Sequence, residues 1–164
     1  MSKRIVLKNL LAVVAVGFVL SLSSCKEEKK IIGKWKLEKV EVTDFICSNP
    51  LSTIMLKPVA QPAIQQMLGG SGVEYEFAKD GNVTFNHAMT GKTVAPYEVN
   101  DKKLSIAYDY ITLTYGLSFD KKTMYWDLDL DRNTLEMISM LIEELAGVEV
   151  EIIKCAAKIT LTKQ

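Results

Sequence analysis

Apolar and polar residues alternate with a period of two along most of this chain, the mark of strands that bury one face. From Ile31 to Thr43, Trp35 and Leu37 share a face with Gly33, while Lys34, Lys36 and Glu38 point away, so this stretch reads as the first strand. By Val40 and Val42 the apolar parity has flipped, and a β-bulge near Lys39 accounts for the flip. Alternation resumes at Val73, Tyr75 and Phe77, and Asp80-Gly81 is a hairpin signal leading to Val83, Phe85 and His87. A turn at Thr90-Gly91-Lys92 opens the stretch Thr93 to Val99, where Pro96 predicts an edge or a bulge. After Asn100-Asp101-Lys102, Leu104, Ile106 and Tyr108 alternate, followed by Ile111, Leu113, Tyr115, Leu117 and Phe119. Asp120-Lys121-Lys122 turns the chain into Met124, Trp126, Leu128 and Leu130, and a last strand spans about Ile152 to Thr162.

Two stretches break the alternation. Residues 48–70 carry Asn49-Pro50, Lys57-Pro58, Gln61-Pro62 and Gly69-Gly70, which predict turns around a short helix from Pro62 to Leu68 with Gly69 as its C-terminal cap. Ile54, Met55, Leu56, Ile64, Met67 and Leu68 make this segment too apolar for a free linker, so it is expected to lie over an apolar surface. Between the last two strands, Leu135, Ile138, Leu141, Ile142 and Leu145 form the stripe of a helix. Asn133 and Glu136 resemble a capping box at its start, and Gly147 stops it. About eight short strands with tight turns predict an all-β fold with minor helix. The expected architecture is an up-and-down antiparallel barrel, since closure removes exposed edges.

The first thirty residues follow another pattern. Lys3, Arg4 and Lys8 precede an apolar run from Leu10 to Leu20, the n- and h-regions of a secretory signal. That run is shorter than the ~20 residues of a membrane-spanning helix, and Lys26-Glu27-Glu28-Lys29-Lys30 ends it. Leu22-Ser23-Ser24-Cys25 resembles the lipobox of bacterial lipoproteins, which implies cleavage before Cys25 and acylation of its thiol. Two or more acyl chains hold firmly where one holds only marginally, so the expectation is a protein anchored to a membrane without spanning it. Lys26-Glu27-Glu28 also resembles the acidic export signals of surface lipoproteins in some Gram-negative bacteria; a charged, solvated tether is the plainer alternative. The organisation is then a removed signal peptide over 1–24, a lipidated tether over 25–30 and one barrel domain over 31–164. The expected address is the bacterial cell envelope, at the outer membrane, and the export-signal resemblance extends this to its surface.

Gly33-Lys34-Trp35 at the head of the first strand resembles the Gly-x-Trp motif of lipocalins. With Phe77, Asp80-Gly81 and Tyr97-Glu98-Val99 through Lys103-Leu104, it makes residues 31–162 similar to the lipocalin-like domains of small bacterial lipoproteins. The resemblance implies that Trp35 plugs the closed end of the barrel. The chain departs from the family in its insertion at 48–70, placed like the helical lid of fatty-acid-binding proteins, and in a helix that precedes the last strand.

Composition narrows the function. The chain has 20 Lys and Arg against 20 Asp and Glu, and removal of residues 1–24 takes away three basic residues and no acidic ones. The mature 140 residues thus hold 17 basic and 20 acidic side chains, with no basic cluster beyond the tether, which argues against nucleic acid as a partner. Overall charge gives no pull toward anionic lipid, so a covalent anchor is required. Besides Cys25, Cys47 and Cys155 fall at the end of the first strand and the start of the last, which closure brings together. They are expected either as a disulfide suited to an exported protein or as two buried thiols. One histidine and two distant cysteines do not make a metal site. Asp127, Asp129 and Asp131 share one strand face, but Arg132 and Ile138 stand where a calcium loop needs glycine and glutamate, so a solvated face is the reading.

No nucleophile motif or phosphate loop is present, His87 reads as a core or rim residue, and no cofactor and no enzymatic activity are expected. What remains is the inward set Tyr75, Phe77, Phe85, Tyr97, Tyr108, Tyr115 and Trp126. An eight-stranded barrel either fills with such side chains or holds one small ligand. The sequence therefore supports a lipid-anchored barrel that binds a small apolar or amphipathic molecule under a lid at 50–70. The alternative is a filled barrel that docks a protein partner.

Overall fold

The computed structural model describes residues 27–108 and 111–164. The expected signal peptide, its expected cleavage site and Cys25 lie outside the described residues. Eight antiparallel strands close into a barrel in which every strand pairs with its sequence neighbours and the first with the last. The strands are β1 (Gly33–Cys47), β2 (Glu74–Phe77), β3 (Asn82–His87), β4 (Gly91–Asn100), β5 (Lys103–Tyr108), β6 (Ile111–Asp120), β7 (Thr123–Asp129) and β8 (Ile152–Lys163). Helix α1 (Pro50–Met67) follows β1, and α2 (Arg132–Ala146) precedes β8. The architecture is consistent with a lipocalin-like fold.

β1 makes closure possible. Its first residues pair with β2 (Gly33↔Phe77), and the rest runs along β8 from Trp35↔Lys163 to Cys47↔Ile152. Register shifts at Leu37/Lys39, Val42/Asp44 and Ile46/Cys47 bend it. The first is the bulge expected near Lys39, and the next explains how Phe45 and Cys47 are buried although Val40 has opposite parity. Such bulges add the local twist that a closing sheet needs. Pro96 is not bulged. It pairs with Asn82 of β3, and the β4–β5 register starts one residue later at Tyr97↔Ile106, so its missing N–H falls where β4 passes from one neighbour to the next.

The turns and helices define two ends. At the basal end lie the start of β1, the hairpins at 78–81, 101–102 and 121–122, and the end of β8. A helical turn over residues 27–31 seals it, so the expected tether packs against the barrel by residue 27. Ile31 is buried there and its carbonyl accepts from Trp35 Nε1 at 2.6 Å. Trp35 packs against Phe119 (5.9 Å between centroids) and under Lys163 Nζ, the plug that the Gly-x-Trp resemblance implies. Gly33 has φ of 122°, closed to other residues, so the glycine is needed to turn the chain into β1.

The upper end carries both helices. α1 is much longer than the expected Pro62–Leu68 helix. Asn49 Oδ1 accepts from Leu51 N to cap it, with Pro50 in its first turn. Pro58 and Pro62 sit inside it, four residues apart and both exposed, so the carbonyls they leave unbonded face water. The opposite face buries Leu56, Ala60, Ala63, Ile64 and the cap residue Leu68. Gly69 N bonds Gln66 O and Gly70 N bonds Gln65 O, a Schellman ending with Gly69 at φ 101°, as expected for the stop. In α2 the capping residue is Asp131, not Asn133: its Oδ1 accepts from Thr134 N (2.9 Å) and Thr134 Oγ1 (2.7 Å). Those bonds also lower the Asp131 pKa. Leu135, Ile138 and Ile142 are buried as expected and Gly147 closes the helix in the left-handed conformation, but Leu145 is exposed.

Candidate functional site

Alternation along six strands brings the whole expected aromatic set into one continuous cluster. β2 contributes Tyr75 and Phe77, β3 Phe85, β4 Tyr97, β5 Tyr108, β6 Tyr115 and β7 Trp126. Trp126 is the hub, with ring centroids 4.9 Å from Tyr115, 5.1 Å from Tyr75 and 6.2 Å from Phe77. Phe85 links Tyr75 (5.0 Å) to Tyr108 (5.9 Å), and Tyr97 stands edge-on to Phe77 at 5.0 Å. Offset and edge-to-face contacts at these separations each add about 0.5–1.5 kcal/mol beyond burial. In this state the rings occupy the space a ligand would need.

The polar atoms of the cluster are unequally satisfied. Tyr97 Oη donates to Ala78 O at 2.8 Å. Tyr75 Oη donates to Leu68 O, tying the end of α1 to the barrel interior. Tyr108 Oη, Tyr115 Oη and Trp126 Nε1 are buried without a hydrogen-bond partner among the described residues. The Tyr108 and Tyr115 hydroxyls are near enough to influence each other's ionisation, yet they do not meet hydrogen-bond geometry. Burial pushes the Tyr75 and Tyr115 phenols well above their ordinary range, neighbouring phenols adding to it, and raises Tyr108 to about 12. A buried polar group without a partner costs about 1–3 kcal/mol. Three polar groups in one apolar chamber, each able to donate, are thus left without a partner among the described residues. Periodicity had placed these residues inward; it could not show that their polar atoms would be left over.

The remaining candidates sit elsewhere. His87 is at the upper rim, half-buried, its Nδ1 accepting from Met89 N at 3.2 Å. Cys47 and Cys155 are both buried and free, so the bridge is not formed and the two-thiol reading holds. The reason is register: Cys155 pairs with Phe45, and the shift after Ile46 sets Cys47 against Ile152. Burial raises both thiol pKa values, that of Cys155 to about 12. Asp127, Asp129 and Asp131 are exposed, the last of them used as a cap. A groove of about 610 Å³ on the outer face of β1–β4, below the Gly69–Gly72 loop, was not foreseen; of the aromatic set only Phe85 reaches it. Its lining of Lys34, Glu74, Glu76 and Lys92 is that of a solvated surface.

Against known proteins, the chain matches no family model, no curated protein and no solved structure. Its fold, an antiparallel barrel compatible with ligand binding, therefore rests on its own geometry.

Proposed function

We propose that this chain is a lipid-anchored, lipocalin-like binding protein of the bacterial cell envelope, non-enzymatic, held at the outer membrane by acylated Cys25. Its ligand is a small amphipathic molecule with a hydrogen-bond-accepting head. The observation that carries this reading is the trio Tyr108 Oη, Tyr115 Oη and Trp126 Nε1, inside an aromatic chamber and without a hydrogen-bond partner among the described residues. A carboxylate or carbonyl head would complete them while its apolar body replaces ring contacts. Entry requires α1 to lift, and the Tyr75 to Leu68 bond is the latch. The lipobox resemblance at Leu22–Cys25 supports the anchor.

Tyr115→Phe separates this from its rival. Removing an unpartnered hydroxyl is expected to raise the stability of the free protein by up to about 1 kcal/mol, measured by urea unfolding. The same change should weaken binding of a fluorescent fatty acid about ten-fold, the loss of one hydrogen bond to a charged head. Higher stability together with unchanged binding would remove the head-group assignment. The rival reading, a filled barrel that docks a protein, draws on one observation: Leu51, Ile54 and Met55 of α1 are 62%, 75% and 66% exposed. No fatty-acid binding by the wild-type chain, with a partner retained through these three residues, would favour it.

A further inference from the structure

The docked turn at residues 27–31 fixes how the barrel stands on its membrane. Glu27 already belongs to this turn, and Cys25 is two residues upstream. Two peptide units span at most about 8 Å whatever their conformation. An acyl chain on Cys25 therefore holds the basal end against the lipid surface, with no flexible stalk between them. That end is also where unpaired lysines gather. Lys30, Lys79, Lys102, Lys121, Lys122 and Lys163 lie on the turn or on the basal hairpins and strand ends, all exposed. Among the described residues none of the six is in an ion pair; Lys30 and Lys163 rest over the Phe119 and Trp35 rings. Glu27, Glu28, Asp80, Asp101 and Asp120 share the end, so its positive excess is small and the short tether does most of the orienting. The opposite end is the more acidic: Glu144, Glu149 and Glu151 are exposed on α2 and beyond it, while of its cations Arg132 pairs with Glu136 and Lys154 with Asp44, leaving Lys57 and Lys92.

We infer that the basal end is a membrane-facing surface that lies on anionic phospholipid headgroups, with α1 and the barrel mouth directed away from the bilayer. This rests on the acylation of Cys25 proposed above. Overall charge conceals the feature, because the chain separates its lysines from its helix carboxylates along the barrel axis.

The test uses the full chain, produced and acylated in a bacterial host and reconstituted into vesicles of phosphatidylcholine and phosphatidylglycerol. A fluorophore is attached at Lys79→Cys or Lys122→Cys on the basal hairpins, or at Met89→Cys on an upper turn; Cys47 and Cys155 are buried and stay unlabelled. Headgroup-bound quenchers should quench either basal label several-fold more than the upper one, and omission of phosphatidylglycerol should narrow the gap. Equal quenching at the two ends, or stronger quenching at Met89→Cys, overturns the orientation. A gap indifferent to phosphatidylglycerol overturns the headgroup contact. The intact mass separates the two levels: a chain lacking acyl groups sinks the anchor and the orientation together, whereas an acylated chain with equal quenching sinks the orientation alone.

Discussion

Trp126→Ala is expected to destabilise the barrel by about 3–5 kcal/mol, the cost of emptying a large aromatic site in a packed core. Trp126 is fully buried, pairs in register with Leu117 on β6 and Ile159 on β8, and touches Tyr75, Phe77 and Tyr115. A domain of this size has only about 5–15 kcal/mol in hand, so much of the variant should be unfolded well below the wild-type transition temperature. Trp126→Phe should lose far less, because it keeps a ring at the hub and removes an unpartnered N–H. Thermal unfolding of the two variants checks the order. Equal small losses would mean that the cluster is loosely packed.

The second large effect is alkaline unfolding. Burial is the main cause of the raised phenol pKa values of Tyr75, Tyr108 and Tyr115. A phenol whose folded pKa exceeds its unfolded value binds its proton more tightly in the folded state. The stability it contributes is full below the unfolded value of about 10 and lost as pH rises through the folded one. For Tyr108, raised to about 12, the loss amounts to about 3 kcal/mol, and the two other tyrosines add to it. The barrel should therefore hold constant stability up to about pH 10 and then fail cooperatively, these phenolates appearing together with the loss of near-ultraviolet circular dichroism. Smooth ionisation of all six tyrosines with the native signal intact would show that water reaches the chamber.

Much of this architecture was legible because a strand reports its inward face every second residue. The barrel, the bulge at Lys39 and the membership of the aromatic cluster follow from parity and turn residues, and the place of Trp35 from the Gly-x-Trp resemblance. The failures have one root: local signals do not reveal three-dimensional neighbours. Pro58 read as a turn and Pro62 as a helix start, but a helix runs through both when they share its solvent face and the other face is buried. Asp131 outcompeted Asn133 as a cap because the chain leaves β7 with Asp131 extended and its carboxylate over Thr134 N. Cys47 and Cys155 were expected as a bridge or as two thiols; barrel closure alone could not decide, because a bulge after Ile46 shifts the register between them. The three unpartnered donors left no trace in periodicity, which assigns a face and not a contact.

The central claim is an acylated barrel that takes an amphipathic ligand into its aromatic chamber. Native mass spectrometry of the full chain, extracted from bacterial membranes in mild detergent, tests both halves at once. The account predicts a covalent acyl mass at Cys25 that survives denaturation and a second, small-molecule mass that denaturation releases. An acylated chain with no releasable mass, before or after incubation with fatty acids, would contradict the ligand and leave a filled barrel; a chain with neither would contradict the account as a whole.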